Sequence, residues 1–304
     1  MGTSVQLLPN VTDANYPGFM SGIYRDEAPL RDSGQVVDGA PGPAAGGRVP
    51  ITVIEPEGYA RGGIVVLHES RQFADVLLEM MKSLAGEGWI MVAPNLFHRF
   101  DRQKGHGDGA GTVNDRDLAA VGARVSDGPG AVATAVAGGA EVEQVFGADL
   151  FADFDACFDW LVGRGVYADT VGVLGFDNAG TAALLVATNR PIGAAVSVAA
   201  PGIMEPLTAE ATALVDAAPQ LQAPWLGLYG NDDPVNPADH VERLRDAAAR
   251  AAVATLVVSY PGLHHRPDHP GFDMADFEQL PEDEKRLLID AQTRIFDWFD
   301  SHLR

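Results

Sequence analysis

The sequence predicts an α/β fold: a single domain built on a mainly parallel, doubly wound sheet with helices on both faces. Short, wholly apolar, β-branched runs recur along the chain, and segments of helical period separate them. No internal repeat and no linker divides the chain, and its 304 residues are enough for one large core.

Taken in order, residues 1–48 are rich in Gly, Pro and Asp, and Gly34–Gly47 (GQVVDGAPGPAAGG) reads as loop. This stretch is expected to be a mostly loop N-terminal extension to a domain covering 49–304. Val49–Glu55 (VPITVIE) and Gly63–Leu67 (GIVVL) are strands, the second apolar throughout, as a buried parallel strand should be. Ala74–Glu87 has apolar positions at helical spacing, and Trp89–Ala93 (WIMVA) is another buried strand. An insert at about 100–140, ending in glycines and alanines, carries little periodicity; a loop of that length is usually functional or mobile. Phe146–Arg164 is helical, Thr170–Leu174 (TVGVL) is a strand, and a glycine-flanked turn leads into the helix Thr181–Asn189. Further strands are expected at Ala194–Ala199, Pro224–Tyr229 and Thr255–Tyr260, with an amphipathic helix over Glu282–Leu303.

Composition excludes several classes of function. The net charge of −21 opposes nucleic acid, because phosphate binding needs a basic face. It also repels anionic substrates unless local arginines overcome the field. No apolar run approaches the roughly 20 residues of a membrane span, and Met1–Asn10 lacks the pattern of a signal peptide, so a cytoplasmic location is expected. Cys157 is the only cysteine, which rules out an internal disulfide. The expected partner is a small-molecule substrate, with no cofactor and no metal; a homodimer stays open.

In open α/β sheets ligands bind beyond the carboxyl ends of the strands, so residues just after each strand are the first candidates. Gly175-Phe176-Asp177-Asn178-Ala179-Gly180 lies between a strand and a helix. It has the layout of a nucleophile elbow, in which a tight turn lifts one side chain above the sheet. Asp177 stands where Ser or Cys is usual; the plainer reading of an Asp at this position is a helix N-cap. Tyr229-Gly230-Asn231-Asp232-Asp233-Pro234-Val235-Asn236-Pro237 follows a later strand, and an acid there can orient a histidine or simply decorate a turn. Tyr260-Pro261-Gly262-Leu263-His264-His265-Arg266 follows the last strand and offers a general base that titrates near neutrality. Nucleophile, acid, histidine is the chain order of the α/β-hydrolase fold.

The wording of these segments resembles the dienelactone hydrolase (carboxymethylenebutenolidase) family over roughly residues 49–303. Val65-Val66-Leu67-His68-Glu69-Ser70 is similar to that family's strand ending in a glutamate that reaches the nucleophile, which implies a catalytic role for Glu69. Ala93-Pro94-Asn95-Leu96-Phe97-His98-Arg99 is similar to the segment whose arginine holds the substrate carboxylate, which implicates Arg99 in binding a small carboxylate-bearing molecule, with a structural salt bridge to a nearby acid such as Asp101 as its alternative and Arg71 and Arg266 as further candidates at strand ends. The G-x-x-D and Y-x-G-x-x-H segments imply Asp233 as the triad acid and His265 as its base. By analogy with the fold, the backbone N–H groups of Ser70 and Asn178 form the anion pocket. The departures are Asp177 in place of the family's cysteine, and Ser70-Arg71-Gln72 in place of its glycine pair.

That aspartate changes the chemistry. Carboxylate attack on an ester gives an intermediate from which the carboxylate, with a reference pKa of about 4, leaves more readily than an alkoxide. An aspartate suits displacement at saturated carbon instead, as at a carbon–halogen bond or an epoxide, through an aspartyl ester that histidine-activated water opens. Hydrolysis of a lactone or ester stays open beside these. Two further readings are a lyase or hydratase using Asp177 as general base, and a catalytically silent scaffold that binds a ligand. If Glu69 points inward near Asp177, the two carboxylates share a proton.

Overall fold

The structure, a computed structural model, describes residues 22–31, 47–69, 75–99, 147–265 and 281–303. Its centre is an eight-stranded sheet: β1 (Ile23–Pro29), β2 (Arg48–Ile54), β3 (Gly62–Leu67), β4 (Trp89–Pro94), β5 (Val171–Phe176), β6 (Ala194–Val198), β7 (Trp225–Gly230) and β8 (Thr255–Tyr260). The spatial order is β1-β2-β4-β3-β5-β6-β7-β8. The first two strands pair antiparallel, as do β2 and β4, and every pair from β4·β3 to β7·β8 is parallel. Parallel neighbours need long crossovers, and helices supply them: α1 (Asp75–Gly86), α2 (Ala148–Gly163), α3 (Asn178–Asn189) and α4 (Ala238–Ala248), followed after β8 by the terminal α5 (Glu282–His302). This is the α/β-hydrolase architecture.

Strand alternation explains the two-sided core. In β3, Val65 and Leu67 join one buried cluster while Ile64 and Val66 join the other. The first cluster takes in Phe154, Cys157 and Leu161 of α2, most of α3, and Val241 and Leu244 of α4. The second takes in Leu77, Met81 and Leu84 of α1 with Ile295 and Phe299 of α5. Both faces of β3, β5, β6 and β7 are thus covered, which is why all of their residues are buried.

One element departs from the sequence reading. Residues 23–29, assigned to the loop extension, form β1, paired along its full length with β2. Its burial alternates weakly, and only Ala28 is fully buried. Arg25, Asp26 and Glu27 are charges suited to a sheet edge, where they discourage pairing with another chain, and they hide the strand from a search for apolar runs. The insert at about 100–140 lies outside the described residues. No helix among the described residues is long and apolar enough to cross a membrane.

Candidate active site

Because β3, β5, β6, β7 and β8 run parallel, their carboxyl ends share one edge of the sheet, and His68-Glu69, Asp177, Ala199, Asp233 and His265 all follow there. At the end of β5 the backbone turns abruptly into α3. Asp177 has φ 55° and ψ −128°, one of two non-glycine residues at positive φ among those described. Such a conformation costs of order 1–3 kcal/mol and persists only where the surroundings enforce it. They do: a Cβ on Gly175 would lie 2.2 Å from the carbonyl oxygen of Ala179, so the turn closes only over glycine.

This geometry separates the two sequence readings of Asp177. It occupies the N-cap position of α3, yet its side chain makes no capping hydrogen bond. Instead Asp177 Oδ1 lies 2.9 Å from His265 Nε2. On the other side of the ring, His265 Nδ1 lies 2.9 Å from Asp233 Oδ2. The loop carrying His265 is held to the acid loop by backbone bonds, Gly230 N–H to His265 O at 3.1 Å and Asp232 N–H to Leu263 O at 3.0 Å. A Cβ on Gly230 would meet both of those carbonyl oxygens at 2.5 Å, so glycine at the end of β7 lets the two loops touch.

Counting protons defines the state of the ring. A neutral imidazole has one N–H, while both ring nitrogens here lie 2.9 Å from carboxylate oxygens; Nδ1 is hydrogen-bonded to Asp233, Nε2 stands at ion-pair distance from Asp177, and two flanking carboxylates favour the imidazolium. In agreement, Asp177 first and Asp233 second raise His265 from 6.5 to about 9, against the opposing effect of burial. Burial pushes Asp233 up, but hydrogen bonds from His265, the Val235 N–H and Asn236 outweigh it, and the acid is held below its ordinary value. Exposure divides the roles: the Asp233 side chain is 1% exposed, whereas those of Asp177 and His265 are 35% and 36% exposed. Asp177 and His265 are thus partly open to solvent and Asp233 is not.

Glu69 reaches the same turn indirectly, accepting a hydrogen bond from Asn178 Nδ2 at 3.2 Å. The N–H of Asn178 opens α3 and is one of the first-turn donors without an intrahelical acceptor, as the anion-pocket expectation needs. Beside Glu69, His68 is buried and depressed to about 4, a neutral imidazole at neutral pH. Arg99 takes the salt-bridge alternative, with Asp153 as its partner; Asp101 lies outside the described residues. Both of its terminal nitrogens donate to Asp153 of α2, at 2.9 and 2.8 Å, and Asp153 is 1% exposed. The guanidinium fork is therefore filled by a protein carboxylate, with His98 Nε2 3.3 Å from the same acid. Ser70, Arg71 and Arg266 lie outside the described residues. Among the described residues no group of three or more His, Cys, Asp or Glu is placed to hold a metal. Sequence reasoning missed Asp153 and Asn236; the one hint for Asn236 was an amide three residues after the proposed acid.

The comparisons with known proteins agree with this architecture. The model of the "Dienelactone hydrolase family" matches residues 50–303. The chain belongs to that family. It is accordingly a hydrolase of the α/β-hydrolase type. A provisionally named carboxymethylenebutenolidase of Yersinia pestis is 25% identical over 263 residues, covering 86% of each chain. One from Methylorubrum extorquens is 28% identical over 295 residues, 95% of this chain and 82% of that one. A crystal structure of a provisionally named dienelactone hydrolase from Klebsiella pneumoniae superposes with a TM-score of 0.64 at 23% identity, covering 92% of this chain and 100% of the other. In this dienelactone hydrolase family member, an aspartate occupies the elbow.

Proposed function

We propose that Asp177, His265 and Asp233 are the working set of a hydrolase that opens a small molecule by carboxylate attack at saturated carbon. The observation that carries the reading is the Asp177 side chain: it leaves its helix uncapped and faces His265 Nε2 on the solvent-reachable side of the ring.

In the first step an Asp177 oxygen forms a bond to carbon while a halide, or the oxygen of an epoxide, departs with its electron pair. An epoxide oxygen takes its proton from the His265 imidazolium. Esterified Asp177 is neutral, so the histidine loses the partner that raises its pKa most. With a halide it then gives its proton to solvent. The neutral imidazole next accepts a proton from water as that water adds to the ester carbonyl, and Asp233 steadies the renewed imidazolium. The N–H of Asn178 faces the resulting oxyanion. Collapse breaks the bond between the ester carbonyl carbon and the alkoxy oxygen, releases the alcohol, which takes up a proton, and regenerates the Asp177 carboxylate. Attack on a lactone carbonyl would instead give a mixed anhydride whose formation reverses readily, which favours alkyl carbon as the target. Since Arg99 is committed to Asp153, the reading needs no carboxylate on the substrate.

The test is intact-protein mass after incubation with a short alkyl bromide, an alkyl epoxide and a five-membered lactone, in wild type and in His265→Ala. The expected result is an alkyl adduct on Asp177 from the bromide, whose departure needs no proton from His265, that accumulates only without His265. Turnover of the bromide by wild type with no adduct in His265→Ala would replace the covalent step with general-base catalysis by Asp177.

A further inference from the structure

We propose that Asn236 is a positioning residue, which fixes the Asp233 carboxylate against the end of β6 and through it sets the imidazole of His265. The proposal rests on the reading of the triad above, though its test needs no substrate. Asn236 is 1% exposed. Its Nδ2 donates twice, to Asp233 Oδ2 at 3.0 Å and to the carbonyl oxygen of Ala199 at 3.1 Å. Asp233 Oδ2 is the same oxygen that faces His265 Nδ1, and Asp233 Oδ1 accepts from the Val235 N–H at 2.8 Å. The Val235 bond is local to the acid loop. Asn236 alone among these donors carries the carboxylate's position out of that loop to the end of β6.

The strand end it reaches is itself rigidly set. Ala199 follows β6 at φ 51°, the other non-glycine positive φ among the described residues, and its N–H donates to Leu228 O of β7 at 2.8 Å. Asn236 thus bridges β6 to the loop after β7 at the level of the triad. An apolar side chain would occupy this buried position without desolvating an amide, and the Asn236 Oδ1 atom is buried with no hydrogen-bond partner among the described residues. What the amide supplies, and leucine cannot, is the pair of N–H bonds. Among the described residues the charged groups facing His265 are Asp177 and Asp233; the nearby Tyr229 hydroxyl is buried and stays un-ionised, its pKa pushed up by burial and by Asp233.

The experiment is a side-chain ¹H–¹⁵N NMR titration of the histidines in the full chain, for wild type, Asn236→Leu and Asn236→Asp, with melting temperatures beside it. Wild type should show a low-field His265 Nδ1–H. Asn236→Leu should lose that resonance to exchange, and the His265 midpoint should fall by about one unit as the Asp233 contact loosens. In Asn236→Asp at acid pH the new carboxyl is protonated, and its single O–H can restore the bond to Asp233 but not also the one to Ala199, so the resonance should return only in part. An unchanged His265 resonance and midpoint in folded Asn236→Leu overturns the proposal. So does a full return of the wild-type resonance in Asn236→Asp at acid pH, which would make the bond to Ala199 dispensable and remains decisive if the leucine variant fails to fold. Failure of the triad reading itself would show in wild type, as a His265 without a low-field proton.

Discussion

Replacing Arg99 by alanine tests whether this arginine serves the substrate or the fold. Asp153 is almost fully buried and accepts from both terminal nitrogens of Arg99. Deleting one partner of a buried pair leaves an uncompensated charge and typically costs about 3–5 kcal/mol. The Arg99 side chain is 23% exposed and His98 stays beside Asp153, so water and the imidazole recover part of the loss and the low end, about 3 kcal/mol, applies. At about 2–4 °C per kcal/mol for a domain near this size, the melting temperature should fall by roughly 6–12 °C. Thermal unfolding followed by circular dichroism measures this directly. Adding Asp153→Asn removes the stranded charge, so the double variant should recover part of the loss. Any fall in kcat/KM should be equal for anionic and neutral substrates. A melting temperature within about 1 °C of wild type, with KM raised only for a carboxylate substrate, would refute the structural role and return Arg99 to the substrate site.

Three further predictions follow from the site and its supports. Asp233→Asn should depress turnover far more than Asp232→Asn, because Asp233 is buried against His265 whereas Asp232 is exposed; comparable losses in steady-state assays would mean the wrong acid has been assigned. Gly175→Ala drives a Cβ to 2.2 Å from the backbone oxygen of Ala179, so it should open the elbow and abolish turnover with reduced yield of folded protein; a stable, active variant would show that the turn is not closed as described. Because His265 is raised from 6.5 to about 9, the native state keeps a proton that the unfolded chain loses first, and the stability from this source is complete below pH 6.5 and drains away as pH rises to 9. The depressed Asp233 works in the other direction, stabilising above its ordinary 3.8 and losing its contribution as pH falls through its native value. Between pH 6 and pH 9 the urea midpoint should therefore drop more in wild type than in His265→Gln, and parallel drops would count against the ion pair.

The sequence by itself determined the sheet's interior, the order of its elements and the family. Runs such as Gly63–Leu67 and Thr170–Leu174 are apolar because both faces of a central parallel strand are covered, and that demand leaves its mark residue by residue. Asp177, Asp233 and His265 were legible for a related reason: a strand end followed by glycine and a polar side chain is a local pattern. The edge strand β1 was not legible, because one row of neighbours imposes little on its composition. Only the tertiary structure decided what each polar group does. Asp177 at a helix start reads from its own segment as either a cap or an elbow residue, and in the structure its φ is 55°, the cap is unmade and the His265 ring stands across the turn. Arg99 at a strand end reads as a substrate ligand or as half of a salt bridge until Asp153, 54 residues further on, fills its fork. Asn236 has no meaning until β6 is laid beside the acid loop. Apolar burial is specified by composition within one segment, whereas a hydrogen bond or ion pair depends on which distant partner the fold delivers to within about 3 Å, and that is settled only once the strands are in register.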